Sequence, residues 1–137
     1  MCKFCEIISG LEPAHVLYED QHTIAFLSVM PINPGHVLVI PKLHEPDFYN
    51  LPEEQYQALM NTVKKVATAL NTTYRPVKVG ELIAGWDIPH THVHVLPMHD
   101  YHDITSKKLL EESLVRASDL ELLKEYHRIK DDGKMLG

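Results

Sequence analysis

The chain has 137 residues, enough for one domain with its own hydrophobic core and too few for two comfortable ones, so a single domain over 1–137 is expected. Apolar residues at 45% and charged residues at 23% are ordinary for a globular protein, while a formal net charge of -6 excludes a protein that grips a nucleic-acid backbone and favours a small-molecule ligand. The most apolar stretch, IAFLSVMPINPGHVLVIP, is broken by Ser28, Asn33, His36 and three prolines, and MCKFCEIISG lacks a secretory apolar run, so a soluble cytoplasmic protein without a membrane partner is expected.

The chain opens with Cys2 and Cys5 in C-x-x-C spacing. A bridge closing so short a loop would constrain little, so in a reducing compartment the pair reads as half of a metal site. AHVLYED and TIAFLSV follow, two apolar-rich runs whose separation suits a β-hairpin. NPG then marks a turn, and HVLVIP predicts a third strand over residues 36–40, closed by Pro41.

Pro52, Glu53 and Glu54 predict a helix start, through the fixed proline φ and the attraction of carboxylates to the helix N-terminus. Tyr56, Leu59, Val63, Val66 and Leu70 recur at three- and four-residue steps, an apolar stripe expected to lie on a sheet. After YRP come two more strand candidates, VKVGELIAG and HTHVHVLP. TSKKLLEES offers a helical turn or two, and Ser118 with Glu121 forms a capping box for a terminal helix. Strands on both sides of one long helix predict an α+β fold with a mainly antiparallel sheet.

His90, His92 and His94 alternate with Thr91, Val93 and Val95. On a strand the three imidazoles would share one face, with neighbours ~7 Å apart, while the apolar alternates pack the other. Such a row could ligate a cation, or supply a nucleophile toward phosphorus flanked by hydrogen-bond donors, or be only a histidine-rich surface strand.

HTHVHVLP resembles the alternating motif of the histidine triad (HIT) superfamily of nucleotide hydrolases and transferases. CKFCEIISG, YEDQHTIAFL, PGHVLVIPKLH and AGWDIPHTHVH resemble, in the same order, further segments of its Hint-like branch. Together these segments span a core of about 2–97, leaving about 98–137 as a helical tail. The resemblance implies a five-stranded antiparallel sheet carrying one long helix, and a homodimer that joins two sheets.

The resemblance implies that His92 attacks the α-phosphorus of a purine nucleotide or nucleotide conjugate and carries a covalent nucleotidyl intermediate. His94 would bond the phosphoryl oxygens, and His36 would close the site from the neighbouring strand. For the attack His92 must be neutral, with one ring nitrogen bare and the other held by an acceptor such as the His90 carbonyl. Phe4, Ile7, Phe26 and Leu38 match positions lining the family's base pocket, although ordinary core packing explains the same residue types. Cys2, Cys5, His44 and His90 match a structural zinc site of bacterial relatives, a closed tetrahedral set with no position left for water.

The binding shell departs from the family pattern. Ser28 stands where an Asp or Asn contacts the ribose, Val79 and Trp86 replace amide side chains, Asp87 replaces a hydroxyl residue, and Met98 replaces an arginine, with His99 beside it as a partial substitute. Three readings therefore stay open: a hydrolase acting at a nucleoside α-phosphate, a catalytically weak nucleotide-binding or sensor protein, and a catalytic metal site on the histidine row. The last lacks a carboxylate within the alternation.

Overall fold

The computed structural model describes residues 1–104 and 115–133. The TSKKLLEES segment, expected to form a helical turn or two, lies outside them. Five strands form one antiparallel sheet: β1 (Val16–Glu19), β2 (Thr23–Leu27), β3 (Val37–Pro41), β4 (Lys78–Leu82) and β5 (Val93–Met98), in the order β1-β2-β3-β5-β4. The α+β expectation and the five-stranded antiparallel sheet hold.

The hairpin turns at Asp20, whose Oδ1 accepts from the backbone N–H of His22 at 2.9 Å and of Thr23 at 2.8 Å. An Asp accepting from its own chain two and three residues on stabilises a tight turn. The long helix α2 (Glu53–Tyr74) begins after Pro52, with Glu53 and Glu54 in its first turn. It lays Leu59, Val63, Val66, Ala69 and Leu70 on one face of the sheet, where they share a core with Ala25, Leu27, Val37, Val39, Val93 and Val95. Tyr56 packs at the margin of this core, so the predicted stripe is the buried face.

The terminal helix α3 (Asp119–Asp132) starts with the expected capping box at Ser118 and Glu121. It buries Leu122 and Ile129 in the same core, and the Tyr74 hydroxyl donates to Glu125 Oε1 at 2.8 Å. The tail is therefore fastened to α2.

One element was not anticipated. Helix α1 (Lys3–Ser9) is capped by the Cys2 side chain and closed by Gly10 at φ 84. Its Phe4 enters a second apolar cluster on the opposite sheet face with Ile24, Phe26, Leu38 and Ile40. The C-x-x-C pair thus sits at the start of a helix anchored to that face.

Candidate functional site

β5 sends Val93 and Val95 into the α2 core, while His94 stands opposite Leu38 of β3 on the other face. The expected strand from residue 90 is shorter than predicted. Pairing with β3 stops at Val39 opposite Val93, and ahead of it the Thr91 N–H donates to the Glu45 carbonyl at 2.7 Å. Loop contacts, not a strand ladder, hold His90 and Thr91, yet the Phe4 ring meets both the His90 ring, at 5.9 Å, and the His92 ring, at 5.2 Å. The alternation predicts the side correctly but not the strand boundary.

The three imidazoles then divide between two groups. His92 and His94 have ring centroids 5.2 Å apart, and His94 lies 5.1 Å from the ring of His36. His36 is 1% exposed and His92 4% exposed, so water reaches little of either ring.

Proton positions in this group follow from partners that can act in only one direction. The His90 carbonyl can only accept, so His92 Nδ1, 2.8 Å away, carries a hydrogen, and the neutral ring keeps Nε2 bare. The Ile32 backbone N–H can only donate, and it points at His36 Nδ1 from 3.0 Å. His36 therefore carries its proton on Nε2 and donates it to His94 Nδ1 at 2.9 Å. The remaining His94 nitrogen, Nε2, is left as an N–H donor. Burial, then the charge of His94, pushes His36 down to about 3. Burial, then His92, pushes His94 down to about 4, against the opposing pull of the Asp87 carboxylate. Both rings are neutral at pH 7.

His90 belongs to the second group. Its Nε2 donates to the Pro41 carbonyl at 2.8 Å, which leaves Nδ1 bare and turned toward Cys2, Cys5 and His44. His90 Nδ1 lies 3.4 Å from Cys2 Sγ, 3.6 Å from Cys5 Sγ and 3.3 Å from His44 Nδ1. His44 Nδ1 lies 3.5 Å from Cys2 Sγ and 3.3 Å from Cys5 Sγ. A tetrahedral zinc with two sulfur and two nitrogen ligands gives donor separations of about 3.3–3.8 Å, so this set fits the ion. Burial, then the Cys2 sulfur, pushes the Cys5 thiol up.

The predicted nucleotide-lining residues are distributed unevenly. Phe4, Phe26 and Leu38 are buried in the second-face cluster beside the imidazoles, and Ile7 packs half-buried at its margin. Ser28 is buried, and its Oγ accepts from the Met30 N–H at 3.2 Å. Asp87 and His99 are exposed; the charge of Asp87 reaches His94, whereas the His99 N–H is turned to Asp103 Oδ2 at 2.9 Å. Trp86 is 90% exposed in the loop leading to the histidines.

Sequence reading missed Ile32, whose backbone sets the His36 proton, as well as Asn33 and Asp103. A backbone donor leaves no trace in residue type. NPG was legible only as a turn, and Asp103 lies in the segment resembling the family least.

A family model, the HIT domain, matches residues 9–101. An uncharacterised HIT-like protein of Methanocaldococcus jannaschii is 38% identical over 104 residues, covering 73% of this chain and 81% of that protein. With that match and this fold, the chain belongs to the histidine triad family. The adenosine 5'-monophosphoramidase of Saccharomyces cerevisiae is 34% identical over 100 residues, covering 72% of this chain and 63% of the enzyme. A zinc-bound histidine triad family protein of Mycobacterium smegmatis superposes with a TM-score of 0.76 at 26% identity, covering 98% of this chain and 94% of that one. No helix among the described residues is long and apolar enough to cross a membrane.

Proposed function

We propose that this protein is a nucleotide hydrolase or transferase that cleaves at a nucleoside α-phosphate, in phosphoramidate or nucleotidyl-phosphate substrates, through a covalent nucleotidyl intermediate on His92. The observation that carries this reading is the 2.8 Å hydrogen bond from His92 Nδ1 to the His90 carbonyl, which leaves Nε2 with its lone pair free. The similarity to a yeast adenosine 5'-monophosphoramidase supports the same class of substrate.

In this reading His92 Nε2 forms a bond to the α-phosphorus as the bond to the leaving group breaks. The ring becomes positively charged, and the His90 carbonyl facing Nδ1–H stabilises that charge. The His94 Nε2–H donates to a phosphoryl oxygen, with His36 fixing its orientation. Water or another acceptor then attacks phosphorus and restores His92. Phe4, Ile7, Phe26 and Leu38 offer the apolar wall for the base, with Ser28, Asp87 and His99 around the ribose and phosphate.

Cys2, Cys5, His44 and His90 would hold zinc, which supplies a cross-link between α1, the loop after β3 and the approach to β5. Its four protein donors leave no position for a reacting water, which makes it structural. A reducing compartment such as the cytoplasm keeps the two thiols available. The reading extends to a homodimer: β4 is an edge strand, preceded by Val77 at 79% exposure.

A second reading, a nucleotide-binding protein with little turnover, is favoured by Ser28, whose oxygen is already engaged with Met30. Adenosine phosphoramidate and dinucleoside polyphosphates, assayed beside AMP binding, separate the two. Turnover of either donor by wild type and not by His92→Ala is expected. AMP binding without turnover of any donor would favour the second reading.

A further inference from the structure

Asp103 is 3% exposed, and its Oδ2 is a hub. It accepts from the His99 N–H at 2.9 Å, the Asp100 N–H at 3.1 Å and the Asn33 side-chain amide at 2.9 Å. Asn33 Nδ2 donates its other hydrogen to the Pro97 carbonyl near the end of β5, also at 2.9 Å. One amide thus ties the turn before β3 to the end of the histidine-bearing strand and to the loop beyond it.

That turn carries the group that fixes His36. The Asn33 carbonyl accepts from the His36 N–H at 3.1 Å, closing a turn through Pro34 and Gly35. Gly35 has φ +90, and a Cβ there would stand 2.5 Å from the Tyr74 ring, so glycine is required on both counts. Ile32, one residue before Asn33, aims its N–H at His36 Nδ1. If the turn shifts, that donor leaves, and nothing prevents His36 from carrying its proton on Nδ1. His36 then stops donating to His94, and His94 is free to carry its own proton on Nδ1, presenting a bare Nε2 where a donor is needed.

We propose that Asn33 and Asp103 are positioning residues: their buried hydrogen bond locks the turn over residues 31–36 against β5, and so fixes which nitrogen of His36, and in turn of His94, carries the proton. This rests on the reading of His94 as a donor to the phosphoryl group. The proton placement itself is observable without substrate. A carboxylate accepting three N–H groups in a buried site is strong enough for the task, and displacements of about 1 Å at a catalytic group cost up to about 100-fold in rate.

The test is long-range 1H–15N correlation of the imidazoles in wild type, Asp103→Ala and Asn33→Ala, with kcat and KM on adenosine phosphoramidate. Asp103→Ala removes the shared acceptor oxygen, so the Asn33 amide and the His99 and Asp100 N–H groups lose it together. Asn33→Ala leaves Asp103 its two backbone donors and is the milder change. Wild type is expected to show Nε2–H on His36 and His94 and Nδ1–H on His92. In the variants His36 and His94 become tautomer mixtures while His92, held by the His90 carbonyl, stays unchanged, and kcat falls about 10- to 100-fold with KM within about twofold.

Unchanged His36 and His94 patterns in both variants would overturn the proposal. So would simultaneous change of all three histidines, or loss of the fold, in both variants, because the pair would then be a general stabilising contact. If wild type turns over no nucleotide donor, the catalytic reading fails while the tautomer result still decides this proposal.

Discussion

The sheet presents two faces that are held by different physics. Toward α2, Val37, Val39, Val93 and Val95 meet Leu59, Val63, Val66 and Leu70 in a continuous apolar core, where any side chain of suitable volume contributes. On the other face, Phe4 and its apolar neighbours adjoin imidazoles whose hydrogen-bonded ring nitrogens each meet a partner of one polarity. Adjacent residues of one short segment serve both, Val93 inward and His92 and His94 outward. The first face is expected to tolerate conservative exchange; on the second, the proposed chemistry depends on the direction of each N–H.

Substitution at the centre of each face breaks this contrast open. His92→Ala is expected to lower turnover by more than about 10^3-fold, with AMP affinity and melting temperature nearly unchanged. Leu59→Ala, at a fully buried helix position, is expected to cost about 2–5 kcal/mol in urea unfolding while kcat below the transition is retained. A Leu59→Ala protein with lost kcat would show the faces to be coupled more closely than their packing implies.

The cysteine-bearing group sharpens the comparison within the second face. Cys2→Ser/Cys5→Ser is expected to abolish a one-to-one zinc content and to lower stability at saturating metal by on the order of 3 kcal/mol, read by metal analysis and thermal melts. The His36 to His94 bond lies outside that cluster and is expected to survive, with its ring-nitrogen pattern intact. Retention of metal in the double variant would instead favour ligation by the histidine row.

A smaller effect is expected from acid. Histidine in an unfolded chain titrates near 6.5, whereas burial, then His94, pushes His36 to about 3 and burial, then His92, pushes His94 to about 4. Between those values the unfolded chain binds more protons than the folded one, so stability falls as pH drops from about 6.5 toward about 4. His36→Gln removes one of these protons from the balance and is expected to flatten the slope, measured by urea unfolding from pH 7.5 to 4.5. A steeper slope would mean that another group governs it.

The smallest effect concerns the sugar. With Ser28 Oγ accepting from Met30, AMP and 2'-deoxy-AMP are expected to bind within about threefold of each other, because a site built to hold a hydroxyl discriminates far more strongly. A large preference for the ribonucleotide, by calorimetry, would show that other groups read the 2'-hydroxyl.

Much of this arrangement is legible in the sequence where the signal is periodic. The α2 stripe, the alternation that sorts valines from histidines, and the Ser118–Glu121 cap all follow from local spacing. The seven-residue helix α1 is too short to show a period, and its boundaries rest on a cysteine cap and a left-handed glycine. Alternation also could not say that His90 turns its ring to Cys2 and Cys5 while His92 faces His94, because those partners come from residues 85 or more positions away or from backbone groups. The Asn33–Asp103 bond joins residues 70 positions apart and has no local signature.

The most direct measurement is intact-mass and peptide analysis of the protein quenched during reaction with an adenosine phosphoramidate. The account predicts an adenylyl group on His92 of the wild type, absent from His92→Ala. Turnover with the adduct on another residue, or steady turnover by His92→Ala, would contradict it.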